Sequence, residues 1–338
     1  MTSVQEFSSG IVLIITLAFL FGCHQVAEFE TGATSGVSFV RTSDYTVETV
    51  VSGLEGARSI CSNGNNEFLV ATTEGVLYRV NSQSMVVESS FLIGIPSGSG
   101  YSEIIRSTQD NSIYILGPAG KIIEWSLNHN YVIDEFYTGP NPVDICVSPD
   151  GSNHIFVIDS GDQTIRKVMT SSNTVIEESN LYHTPSSVSG YTACPEFVLV
   201  ACSDDTGSVC LLDVETLNLH TATFTGMPCG EITSSQNDSV FCIIHPGTGS
   251  SDGGATLVRA RPVPEYMEYF PIAGTPVSLC SYPYGSYFYI ASLKDGDTVI
   301  TVLNGDTFQA ETEFTIDGFP FDITTHRNGE YLLVLTSD

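Results

Sequence analysis

The chain is expected to fold as an all-β, seven-bladed β-propeller of four-stranded antiparallel blades, and three features of the sequence lead there. The first is composition. Of 338 residues, 30 are Gly and 15 Pro, 42% are hydrophobic and only 15% charged, which provides a large core and many tight turns. With abundant Ser, Thr, Val and Tyr, this favours short strands over helices. The second is a repeat. An apolar residue recurs after a turn-rich segment at Ile60, Ile104, Ile145, Val188, Ile232, Leu279 and Ile323, at intervals of 44, 41, 43, 44, 47 and 44. A period of about 40 to 50 residues holding four short strands is that of a propeller blade. The third is the fit of the ends. The last unit offers only 322–325 and 331–335 as strands, two short of a blade, while 37–41 and 45–51 stand unassigned ahead of Ile60. Together they complete a seventh blade, closing the ring and removing free sheet edges.

The clearest unit shows how a blade is written. Residues 142–151 hold strand A and its turn, 154–158 strand B, 163–168 strand C and 173–177 strand D. Asp150-Gly151, Tyr284-Gly285 and Asn328-Gly329 supply the turn chemistry of A–B hairpins. Gly139-Pro140-Asn141-Pro142, Gly226-Met227-Pro228, Gly274-Thr275-Pro276 and Gly318-Phe319-Pro320 mark crossings between blades. Proline suits them because it lacks the N–H that a ladder position needs.

The unit resembles the YVTN-repeat family of seven-bladed propellers, found in exported bacterial and surface-layer proteins. Its Gly-x-x-Pro, then Ile-x-x-Ser-x-Asp-Gly, then apolar strand is carried by Gly139, Pro142, Ile145, Ser148, Asp150 and Gly151; the last blade keeps Pro320, Asp322, Ile323 and Asn328-Gly329. Blades two, four and five depart from the pattern. WD repeats match poorly, since the only tryptophan, Trp125, lies between Glu124 and Ser126. The resemblance implies a fold and an exported setting but no single activity.

The N-terminus reads as an address. Residues 11–21 form an apolar run broken only by Thr16, too short to span a bilayer, which takes about 20 apolar residues, and of the length of an export-signal core. Leu20-Phe21-Gly22-Cys23 resembles the lipobox of bacterial lipoproteins, making Cys23 the expected lipid attachment, although residues 1–10 contain no Lys or Arg. The organisation is then a lipoprotein-type signal peptide at 1–23, a flexible tether at 24–36 and the propeller at 37–338. The expected location is outside the cytoplasm, anchored to a bacterial membrane on the periplasmic side or the cell surface.

Charge and motifs narrow the function. Eleven Lys and Arg against 39 Asp and Glu give a net charge of −28, so nucleic acid is excluded as a natural partner and membrane contact is expected through the lipid alone. No C-x-x-C occurs among the nine cysteines, leaving zinc and thioredoxin-like chemistry without support. Cys61, Cys146 and Cys280 each follow the aligned apolar residue and read as small core residues. Cys202 and Cys210 are placed to face each other across a hairpin, where a disulfide is conceivable. The seven histidines show no metal-ligand spacing. Gly249-Ser250-Ser251-Asp252-Gly253 matches a nucleophile elbow formally, but it falls in a loop between strands rather than before a helix.

One constellation stands out. The residue before each aligned apolar position is Ser59, Glu103, Asp144, Ser187, Glu231, Ser278 or Asp322, polar in every blade and acidic in four. Strand A starts at the mouth of a propeller's channel, so these side chains are expected to form a ring there. Crowded carboxylates raise one another's pKa or recruit a cation such as Ca²⁺. The B–C loops should open on the same face and carry Asp159, Asp162, Asp204, Asp205, Asp252, Asp295 and Asp297. Structurally, strand-start carboxylates would instead accept backbone N–H groups at the turns between blades. Two functions follow: a monomeric binding or scaffold module for an envelope protein, peptide or glycan, with no cofactor required, or a metal-assisted enzyme of lactonase-like or quinoprotein-like type working through the channel-mouth carboxylates. The first accounts for more of the sequence, so an enzymatic role is the less favoured of the two.

Overall fold

A computed structural model describes residues 35–337, apart from 65, 95–102, 108–110, 237–238 and 248–252. The signal peptide, Cys23, nearly all of the tether, and Asp252 with most of the formal elbow motif lie outside the described residues. The described chain forms seven four-stranded antiparallel sheets, and the protein is a seven-bladed β-propeller.

Each blade is a meander, because short connections of Gly, Asn and Asp turn each strand directly back on the last. Blade three runs Pro142–Val147, His154–Asp159, Thr164–Met169 and Thr174–Asn180. Blades two, four and five, which match the repeat pattern least, build the same four strands. Backbone pairing and burial of the inner strands are sufficient for a blade, and the turn signature is dispensable.

The seventh sheet closes the ring. Its order places Val47–Ser52 beside Ser35–Arg41, then Tyr331–Ser337, then Phe319–Thr325, so the two chain ends share one blade. Ser35 to Arg41 pair residue by residue with Ser337 to Tyr331. The first strand thus takes in Ser35 and Gly36, the last two positions of the 24–36 stretch. The second starts at Val47 rather than at 45, because Tyr45 adopts φ 58° and its N–H closes the hairpin onto the Arg41 carbonyl at 2.9 Å.

The core is distributed rather than central. Seven apolar clusters each join two neighbouring blades. Between blades one and two lie Leu69, Leu77, Ile104, Ile115 and Trp125; between blades seven and one lie Val37, Phe39, Ile60, Phe68 and Leu333. Both faces of every sheet are therefore buried, which is why central strands such as Phe197–Cys202 and Val240–His245 are buried along their whole length and do not alternate with polar residues.

Irregularities repeat as well. Strands C and D slip register once in all seven blades, and such bulges add the twist that lets flat strands wrap a ring. One expectation is corrected. Cys210 pairs with Val200, and Cys202 with Ser208, so the two cysteines are diagonal rather than opposed; both are free thiols in hydrogen-bond contact.

Candidate functional site

The polar residues before the aligned apolar positions come together as a belt around the channel. In five blades strand A slips register against strand B immediately before the belt residue, at Ser59, Asp144, Ser187, Ser278 and Asp322. A bulge there re-aims the side chain along the inner edge of the ring. That edge presents strand A N–H groups with no further strand to receive them, so an acceptor at this position satisfies what would otherwise be an orphaned donor.

The acceptors reach forward from one blade to the next. Asp144 Oδ2 accepts the Val188 N–H at 2.7 Å and the Ser187 hydroxyl at 2.7 Å. Ser187 Oγ in turn accepts the Ile232 N–H at 3.2 Å, and Glu231 Oε2 accepts the Leu279 N–H at 2.7 Å. Asp322 stitches three blades: Oδ2 takes the Ile60 N–H at 2.8 Å and the Ser59 hydroxyl at 3.0 Å, while Oδ1 takes the Ser278 hydroxyl at 3.0 Å and its neighbour Ile323 N–H at 2.7 Å. Ser59 Oγ accepts the Ile104 N–H at 3.2 Å, passing the pattern to blade two. The donors are thus aligned N–H groups of the next strand A, not the turn amides that the sequence suggests.

Burial dominates the electrostatics of this belt. Its three serines are buried and its four carboxylates touch solvent only in part, with protein on the remaining sides. Desolvation raises the Glu103 carboxyl well above its usual range, and the charges of Asp322, Asp144 and Glu231 push the same way. Glu231 is raised well above normal by burial, then by Asp322 and Asp144, against the Leu279 N–H and the Ser278 hydroxyl. Asp144 is pushed up to about 6 by burial, although the donors from Val188, Ser187 and Ile145 favour the ionised form. Asp322 is raised too, by burial, against its four donors from Ile60, Ile323, Ser59 and Ser278. The belt can therefore hold protons where exposed carboxylates would have lost them.

Ca²⁺ takes about six to eight oxygen ligands, and among the described residues no three His, Cys, Asp or Glu side chains gather closely enough to hold a metal. The belt carboxylates are instead spread round the ring on separate backbone donors.

The acidic loops do share a face with the blade crossings. Asp159, from a B–C turn, accepts the Asn141 N–H of a crossing at 2.9 Å, and Ser203 N–H reaches the Thr184 carbonyl at 2.8 Å. Within that face the aspartates divide. Asp159 is fully buried and also caps the Gly161 N–H at 2.8 Å. Asp162 pairs with Arg166, which also holds Glu178 at 2.7 Å; burial raises the Asp162 carboxyl, but Arg166 and Thr164 lower it further. Asp204 pairs with His183. Asp205, Asp295 and Asp297 are exposed, and the last two flank a shallow depression of about 290 Å³ with Lys294, Glu313 and Phe314.

The cysteines beside the belt differ in depth. Cys61 is buried and Cys146 and Cys280 are partly so; burial raises all three thiols, and the belt carboxylates add to it. Arg58 lies near a strand A start, as its sequence position implies, but its partner is not legible there: its guanidinium lies 4.6 Å from the centre of the Phe321 ring. Both occupy the bulge position before the belt residue, in blades one and seven, so the repeat alignment holds the signal once ring closure makes those blades neighbours.

No family profile matches the chain, and no curated protein matches it either. Among solved structures it is similar to hydrazine synthase of Kuenenia stuttgartiensis, with a TM-score of 0.72 and 13% identity, over 84% of this chain and 95% of that one. At that identity the likeness is one of fold, in accord with the seven-bladed propeller.

Proposed function

We propose that this chain is a binding or scaffold propeller, exported and lipid-anchored at Cys23, that presents its acidic loop face to a protein, peptide or glycan of the bacterial cell envelope. One observation carries the reading. The belt carboxylates, the strongest candidates for chemistry, already serve as acceptors between blades, whereas Asp205, Asp295 and Asp297 stand exposed on the loop face. A rigid ring with free loops at one end is suited to recognition, since the scaffold fixes loop positions without taking part in contact. The YVTN-like repeat and the lipobox-like Leu20-Phe21-Gly22-Cys23 support the exported setting. The metal-assisted alternative draws less support, because it asks the belt to release donors that hold the ring together.

The test is comparative capture. Full-length chain and an Asp205→Asn/Asp295→Asn/Asp297→Asn variant are cross-linked in envelope preparations. A partner recovered with the parent and lost with the variant is expected, and identical recovery from both overturns the loop-face assignment. Labelled fatty acid should appear on the parent and vanish in Cys23→Ala; equal labelling refutes the anchor.

A further inference from the structure

The end of the channel away from the acidic loops holds an unexpected pair of cations. Arg106 ends strand A of blade two, Arg327 lies in the A–B hairpin of blade seven, and Gly64 lies in the A–B hairpin of blade one. Ring closure makes these three blades neighbours. A Cβ built on Gly64 would stand 3.0 Å from Arg106 Nη1, 3.0 Å from Arg327 Nη1 and 3.0 Å from Arg327 Cδ. Two guanidinium groups thus flank one small gap, which stays open because Gly64 carries no side chain. Gly64 also has φ +76°, a conformation that disfavours any other residue there. The Arg327 N–H bonds to Ser62 Oγ at 3.3 Å, holding that hairpin against blade one.

Among the described residues neither arginine has an acid to answer it. Arg41, Arg79, Lys121, Arg166 and Lys167 each pair with a carboxylate, and Arg58 and Arg259 lie over aromatic rings. Among the described residues no carboxylate pairs with Arg106 or Arg327, and the Arg106 Nε is buried without a hydrogen-bond partner. In a chain with 39 acidic residues and 11 basic ones, two adjacent arginines with no carboxylate partner among the described residues run against both the composition and their mutual repulsion. An anion placed between them would relieve that repulsion and fill the donors in the forked geometry that guanidinium offers.

We propose that Arg106 and Arg327, with the gap kept open by Gly64, form an oxyanion-binding site at this channel mouth, suited to a carboxylate or phosphate group of a ligand. The site lies on the opposite end from the acidic loops and does not depend on what those loops bind. The net charge of −28 repels anions at long range, but salt screens it beyond about 8 Å at physiological ionic strength, so the local pair governs occupancy there.

The experiment titrates the full chain with inorganic phosphate and with citrate by calorimetry, against chloride at matched ionic strength. Saturable one-to-one binding is expected. Tighter phosphate binding points to a phosphorylated ligand, tighter citrate binding to a carboxylate ligand, and either supports the site. Arg327 is exposed, so its replacement should leave the fold intact: Arg327→Gln should weaken binding about tenfold, the scale of one charge-assisted hydrogen bond. Arg327→Glu should abolish binding and melt at or above the parental temperature, because its carboxylate would pair with Arg106. No saturable binding beyond chloride, or equal affinity in parent and both variants, overturns the proposal. Neither result touches the loop-face capture test.

Discussion

Asp144 offers a direct test of the belt, because its burial and its donors act in opposite directions on one carboxyl. In the unfolded chain it should release its proton near the ordinary value of 3.8, and in the ring near about 6. Between those values the folded state holds more protons than the unfolded one, so stability falls as pH rises and levels off above the folded value. At about 1.4 kcal/mol per pH unit, the interval corresponds to about 3 kcal/mol. The perturbation is Asp144→Asn, which keeps the shape and removes the titration. It also replaces the oxygen that accepts the Ile145 N–H at 2.6 Å, an offset of about 1 kcal/mol that does not change with pH. Urea unfolding of parent and variant between about pH 4 and pH 7 gives the difference curve. Glu103 and Glu231, raised by burial and further by the Asp144 charge, add to the same fall, while groups that do not feel that charge cancel, including His245, which burial holds below its usual value and which therefore loses stability as pH falls. The parent should lose about 2.4 kcal/mol relative to the variant over that range, the rest of the interval lying below about pH 4. A flat difference, or one that rises with pH, would refute the account of the belt as desolvated carboxylates.

Three further outcomes follow from the fold. Phe39 is fully buried in the closing blade, 5.2 Å from the Phe68 ring of blade one and 6.0 Å from Tyr331; Phe39→Ala should cost about 3 to 5 kcal/mol in urea unfolding, and a cost under about 1 kcal/mol would mean that the N-terminal strand is not part of the core. Gly274, at a blade crossing, has φ +82° and a Cβ there would lie 2.2 Å from the Leu293 carbonyl oxygen, so Gly274→Ala should destabilise by more than about 1 kcal/mol, with an unchanged melting temperature as the contrary result. Cys202 and Cys210 should both react with a thiol reagent in denaturant without reductant, since both are free; a Cys202–Cys210 bond found by peptide mapping would contradict the strand register.

Much of this protein is written locally. The spacing of Ile60, Ile104, Ile145, Val188, Ile232, Leu279 and Ile323 sets the blade count, because one sheet of four short strands consumes a fixed length of chain. The leftover strands at both ends dictate closure through the seventh blade, since an open propeller would leave sheet edges unpaired. The belt positions from Ser59 to Asp322 are legible too, as a polar residue recurring at one offset of the repeat.

What the residues do there was settled only in three dimensions. A carboxylate before an apolar residue reads as a ligand or, more readily, as a backbone acceptor; in the ring Asp144 Oδ2 accepts the Val188 N–H, 44 residues away. The loop aspartates look alike in sequence, yet Arg166 and the Asn141 N–H claim Asp162 and Asp159 while Asp295 stays exposed. Arg106 and Arg327 sit at different offsets of the repeat and 221 positions apart, so no pattern links them. Periodicity is a property of neighbours along the chain and therefore survives in the sequence, whereas which charges meet depends on how a ring brings its first and last blades together.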